Sequence, residues 1–151
     1  MACALLVVVG GLATAGCLGT TPAPAPEETP TTSAPVAGAA AAVAYAKAQV
    51  GLPYCFAGTG PSCFDCSGLT YKAWKAGGVT IPRTSGDQYR AYPKVPLNQL
   101  LPGDLLFPSD PNQHVSIYIG SGRMVHATKT GDFIKNVLVS SYPAAYAVRP
   151  R

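Results

Sequence analysis

Apolar positions change their period part-way along this chain. Between residues 65 and 78, Leu69, Ala73, Trp74 and Ala76 recur at the spacing of one helix face, with Asp65 or Ser67 placed to cap the start and Gly77-Gly78 to stop it. Upstream, "VAYAKAQV" (residues 43–50) suits a short helix that Gly51-Leu52-Pro53 ends. Between the two lies "YCFAGTGPSC", a loop with Gly58, Gly60 and Pro61 as turn residues. Beyond residue 104 the pattern becomes strand-like: "DLLF" (104–107), "HVSIYI" (114–119), "RMVHAT" (123–128), "FIKNVLV" (133–139) and "YAVR" (146–149), with hairpin-sized gaps. Helices first and short strands afterwards predict an α+β domain with an antiparallel sheet. No internal repeat is visible.

Composition adds two segments ahead of that domain. Residues 18–42 are almost entirely Ala, Pro, Thr, Gly and Ser, with two glutamates and no aromatic. Such a stretch buries too little apolar surface to offset its ordering entropy and is expected to be a disordered tether. Before it, "ACALLVVVGGLATAGC" within residues 1–17 has signal-peptide length and is too short and glycine-interrupted for a membrane span, although no basic residue precedes it. Ala13-Thr14-Ala15 has the form of an ordinary cleavage site, whereas Thr14-Ala15-Gly16-Cys17 resembles a bacterial lipobox. The Thr/Pro-rich spacer directly after Cys17 favours lipidation of that cysteine, hence an exported protein at the cell surface, lipid-anchored or secreted. Residues 43–151 form the expected domain.

All eleven basic residues but only five of seven acidic ones fall in residues 43–151, a net charge of +6 there. This serves solubility, and in an exported protein it also suits anionic wall polymers. No arginine-rich run, stacking-aromatic motif or zinc-finger spacing points to nucleic acid. A monomer is expected.

Cys3 and Cys17 belong to the leader, leaving Cys55, Cys63 and Cys66 in the domain. An odd number in an oxidising compartment leaves one thiol after one bridge. Cys63 and Cys66 have C-x-x-C spacing, but the parallel βαβ context of a thioredoxin-like redox motif is not visible. Three cysteines with a histidine also compose a zinc set, without a second C-x-x-C or H-x-x-H to support it. The preferred sorting pairs Cys55 with Cys63 across the glycine-rich loop and leaves Cys66 free at a helix start. There, unpaired N–H groups and the macrodipole are expected to lower a thiol's pKa and to stabilise an oxyanion.

The chain has two histidines, in adjacent strands. If Gly120–Gly122 makes a three-residue turn, Ser116 faces His126 and His114 faces Thr128, and both imidazoles lie on one face while Val115, Ile117 and Ile119 point to the other. A two- or four-residue turn would separate them. Two imidazoles on one face, with a helix-start cysteine elsewhere, suit a Cys/His site in which one imidazole takes the thiol proton and a third group orients it.

"DCSGLTYKAW", "IPRTSGDQY", "LLPGDLLF" and "HVSIYIGSGRMVHA", in that order, resemble the NlpC family of cell-wall cysteine peptidases (the p-sixty group) over nearly all of residues 43–151. The resemblance implies a papain-like fold, with N-terminal helices packed on a central antiparallel sheet of about five or six strands. It implies Cys66 as nucleophile, His114 as general base and His126 as the residue holding the imidazole. Tyr54 matches the family's Pro-Tyr motif as a site-lining residue, and Asp65, Ser67, Arg83 and Ser85 match positions that shape the substrate groove. Arg83 in particular would meet a stem-peptide carboxylate bidentately. Relatives commonly have Trp-Gly-Gly where this chain has Phe56-Ala57-Gly58, and Gly at Ser116; the first change would reshape the groove. Some relatives carry the Cys55/Cys63 pair.

The implied activity is a peptidoglycan hydrolase that cuts a stem-peptide amide, most often between D-γ-glutamyl and a diamino acid such as meso-diaminopimelate, with no metal or organic cofactor. An N-acetylmuramoyl-L-alanine amidase with the same Cys/His chemistry, a non-catalytic wall-binding module and a thiol oxidoreductase are the alternatives.

Overall fold

The computed structural model describes residues 35–151; the expected leader, the lipidation site Cys17 and residues 18–34 of the expected tether lie outside the described residues. Helix α1 spans Ala39–Ala48 and so begins inside the segment read as tether. Alanine loses no side-chain entropy on becoming helical, and here Ala39, Ala42 and Ala46 form a buried stripe on the core side. Small side chains let α1 lie close against α2, which spans Cys66–Ala76. Where the two meet, Gly38 and Gly77 touch backbone to backbone, and a side chain on either would overlap the other's carbonyl oxygen.

A third helix, α3 (Ser85–Ala91), lies where the apolar pattern predicted no element. Its signal is local. The Thr84 hydroxyl caps the helix by accepting from the Asp87 N–H at 3.3 Å, and it donates to the Asp87 carboxylate at 2.6 Å. What holds α3 in place is Gln88, whose side chain is fully buried. Its amide donates to the carbonyls of Ser67 (3.1 Å) and Pro82 (2.8 Å), and its oxygen accepts from the Thr70 hydroxyl at 2.8 Å. Gln88 thus fastens α3 to the first turn of α2.

Five strands follow: β1 (Leu105–Phe107), β2 (Ser116–Gly120), β3 (Arg123–His126), β4 (Lys135–Leu138) and β5 (Tyr146–Val148). Each overlaps one of the expected segments. They form one antiparallel sheet in the order β4-β3-β2-β1-β5. Side chains alternate between its faces. Leu105, Phe107, Val115, Ile117, Val125 and Val148 meet α1 and α2 in the main core, while Leu106, Met124 and Ala147 face the other way under Val95, Leu100 and Val139. Buried Asp104, just before β1, takes a two-point contact from Arg149 at 2.7 and 2.8 Å and locks the chain's end to the sheet. Among the described residues no helix is long and apolar enough to cross a membrane.

The β2–β3 hairpin decides where the histidines go. Its turn has two residues, Ser121 and Gly122, both with positive φ (52° and 68°), and Gly120 faces Arg123. This departs from the expected three-residue turn. A bulge between Tyr118 and Gly120 then absorbs one residue, so that Tyr118 faces Met124 and Ile117 faces Val125, the register the longer turn would have given. The two departures cancel. His114 and His126 share a face, as expected.

Candidate active site

Cys66 is the first residue of α2, directly after the N-cap Asp65, whose carboxylate accepts from the Gly68 N–H at 2.5 Å. Helix start and preceding loop are in close contact here: a side chain at Gly68 would overlap the Gly58 carbonyl. The loop is stapled by a disulfide between Cys55 and Cys63, and Cys66 is the free thiol of the described residues. With Cys63 committed to Cys55, neither the C-x-x-C pair nor a three-cysteine zinc set is assembled. Sorting the cysteines by sequence gave the pairing that the structure has.

The thiol lies against backbone donors. The N–H of Val115 favours its charged form, and so do the N–H groups of Ser67 and of Cys66 itself. Burial nevertheless pushes the thiol up from its ordinary value, and the Asp65 charge adds to that. The helix-start effect is therefore present but outweighed, contrary to the expectation of a lowered pKa. Val115 directly follows His114 in the chain.

His114 and His126 are 5% and 4% exposed. His114 Nε2 stands 3.4 Å from His126 Nδ1, which leaves His114 Nδ1 as its other titrating nitrogen. Burial, with His126 adding to it, lowers the pKa of His114 to about 4. His126 is also lowered, chiefly by burial; Asp132 opposes this and Lys135 assists it. Asp132 itself is held below the usual carboxylate range by hydrogen bonds from Lys135 and the Thr128 hydroxyl. Burial thus favours the neutral forms of both the thiol and the imidazoles in the resting site.

A cleft of about 470 Å³ opens over Cys66, with Tyr54, Phe56, Asp65, Arg83 and Gln113 among its lining residues. The structure brings together all the groove residues expected from sequence, but it commits several of them to one another. Arg83 donates to both oxygens of Asp65, at 3.1 and 2.6 Å, and to the Ser67 hydroxyl at 2.8 Å. Its fork is occupied, so a bidentate grip on a substrate carboxylate would first have to break this pair. The Ser85 hydroxyl donates to the Asn112 carbonyl at 3.1 Å, bracing the loop that leads to His114. Burial raises the Tyr54 phenol, and the charges of Cys66 and Asp65 add to it, which sets the hydroxyl within electrostatic reach of the nucleophile.

Sequence reasoning did not single out Gln88, Gln113 or Tyr142. Gln113 had a signal, its position next to His114. Tyr142 had none: its ring meets those of His114 and His126 at centroid distances of 5.4 and 5.2 Å from a loop far along the chain.

Three comparisons bear on this arrangement. The model of the NlpC/P60 family matches residues 51–151. A Bacillus subtilis protein named gamma-D-glutamyl-L-lysine dipeptidyl-peptidase is 44% identical over 91 residues, which is 57% of this chain and 31% of that protein. A Listeria seeligeri protein named "Probable endopeptidase p60" is 40% identical over 94 residues, 61% of this chain and 18% of that protein. The chain thus spans less than a third of the length of these curated relatives. Among solved structures, the NlpC/p60 domain of the peptidoglycan hydrolase SagA superposes with a TM-score of 0.67 at 36% identity, covering 73% of this chain and 97% of that one. NlpC2 from Trichomonas vaginalis gives 0.68 at 28% identity, covering 77% and 48%.

Proposed function

This chain belongs to the NlpC/P60 family, and from that premise we propose that it is a cysteine endopeptidase of peptidoglycan, cutting the stem peptide after D-γ-glutamate and before the diamino acid. The observation that carries the reading is the free Cys66 thiol at a helix start in the cleft, together with the buried contact between His114 and His126. The name of the Bacillus subtilis relative supports the choice of a γ-D-glutamyl bond.

The chemistry follows from the atoms. His114 Nδ1 takes the Cys66 proton as the sulfur attacks the carbonyl carbon, while His114 Nε2–H donates to His126 and fixes the ring. Because the thiol is raised and the base is lowered, the proton moves with the attack and no thiolate is stored beforehand. Backbone N–H groups at the start of α2 face the developing oxyanion, and loss of one such donor typically costs on the order of 100-fold in rate. The C–N bond then breaks, imidazolium protonates the leaving amine, and water releases the acyl group from sulfur by the reverse transfers. Peptidoglycan lies outside the cytoplasm, and the Cys55–Cys63 disulfide fits an oxidising compartment, so the working location proposed is the cell wall.

The test is digestion of a defined disaccharide tripeptide ending in diaminopimelate, with products read by mass spectrometry. Free diaminopimelate and a disaccharide L-Ala-D-Glu fragment are expected. Release of the intact tripeptide from the sugar would replace this reading with an amidase, and no cleavage by folded protein would remove the hydrolase.

A further inference from the structure

His114 and His126 are both buried, and both are in contact with the ring of Tyr142. Its centroid is 5.4 Å from His114 and 5.2 Å from His126, edge-on to both at 68° and 72°, and the two imidazoles are themselves 5.4 Å apart. The three rings form a closed triangle. Tyr142 is 40% exposed, against 5% and 4% for the histidines, so of the three rings it is the one that reaches solvent. Its loop is pinned at both ends, by the Tyr142 N–H on the Val139 carbonyl (3.1 Å) and by the Ala145 N–H on the Phe107 carbonyl (2.8 Å). The contact Tyr142 makes with the two imidazoles is through the ring.

We propose that Tyr142 is a positioning residue, whose ring closes over the imidazole pair, holds the His114–His126 contact in line and keeps water from it. The proposal deepens the peptidase reading and rests on it only for the effect on turnover. Aromatic edge contacts of this kind contribute beyond buried area. A base held by one 3.4 Å contact to its neighbour loses rate steeply when its geometry slackens. Burial is also the largest cause of the lowered pKa of both histidines, and Tyr142 supplies part of that burial. The other charged groups that act on the pair are Asp132 and Lys135, both toward His126. Neither of these is altered by changing Tyr142.

The chain contains two histidines, so NMR titration of labelled imidazoles reads both without substrate. In wild type and Tyr142→Phe both titrate below about 6.5, the ordinary value. In Tyr142→Ala both move up toward it, the acid limb of kcat/KM moves the same way, and kcat falls on the order of 10- to 100-fold while KM holds. Tyr142→Leu, which keeps apolar bulk for folding, shifts in the same direction by less. Unshifted imidazoles in either the Ala or the Leu variant would overturn the proposal, and so would a Phe variant as impaired as Ala. Wild type that titrates as expected but cleaves no muropeptide would refute the peptidase reading while leaving the role of Tyr142 standing.

Discussion

Burying two imidazoles in neutral form makes this domain acid-sensitive in a definite pH window. An unfolded histidine titrates near 6.5, and in the folded protein His114 titrates at about 4. Because the folded value is the lower one, the unfolded chain binds the proton first. The stabilisation is complete above about pH 6.5, falls as pH drops, and is exhausted once pH passes the folded value. Integrated over that window, His114 alone accounts for about 3 kcal/mol, and His126 adds in the same direction. This is a large part of the roughly 5 to 15 kcal/mol that holds a domain folded. Asp87, Asp110 and Asp132 are also lowered, but a carboxylate's contribution is lost only below its unfolded value of about 3.9, so the windows barely overlap. Urea unfolding followed by tryptophan fluorescence at steps from about pH 7.5 to about pH 4 is the assay, with ΔG expected to fall steadily from pH 6.5 downward. His114→Gln should flatten that slope by its share while the part from His126 persists. A wild type whose stability stays level down to about pH 4.5, or a His114→Gln variant with an undiminished slope, would refute the reasoning.

Three further outcomes are expected. Replacing Cys55 and Cys63 together by Ser reopens a loop with a sequence separation of 8 and should cost about 2 to 3 kcal/mol in thermal or urea unfolding; cleavage at saturating substrate should survive, whereas a thiol oxidoreductase would lose all function. Asp65→Asn keeps an acceptor for the Gly68 N–H but removes a charge that raises the Cys66 thiol, so iodoacetamide should alkylate Cys66 faster at neutral pH, and an unchanged or slower rate would contradict the assignment. Gln88→Ala removes three hydrogen bonds of a buried side chain, leaving the Pro82 carbonyl without its side-chain partner and the Thr70 hydroxyl with only the Ser67 carbonyl at 3.0 Å, and should lower stability by about 2 to 4 kcal/mol, read as a lower Tm.

The parts of the site that could be read from sequence were those set by short-range patterns. Cys66 followed Asp65 at the start of a helix whose apolar spacing was plain, and the histidines followed from alternation along two neighbouring strands. Even there the reasoning reached the right face through a three-residue turn, where the protein uses two residues and a bulge at Ile119 that no composition marks. Helix α3 was missed because its seven residues are too few for a periodic face, although Thr84 and Asp87 announced its start. Helix α1 was begun late because an alanine run next to proline-rich sequence reads as tether until Gly77 is seen to receive it. The direction of the Cys66 shift and the occupied fork of Arg83 depend on burial and on partners 18 residues apart, and Tyr142 reaches the histidines from a separate loop. Such facts belong to packing.

The account stands on Cys66 as nucleophile. The most direct measurement is soluble fragment release from purified peptidoglycan by the whole protein under mild reducing conditions, wild type beside Cys66→Ala, with circular dichroism confirming that both are folded. Wild type should release fragments with newly exposed diamino-acid amines while Cys66→Ala releases none. The same fragments from Cys66→Ala at a comparable rate would contradict the account.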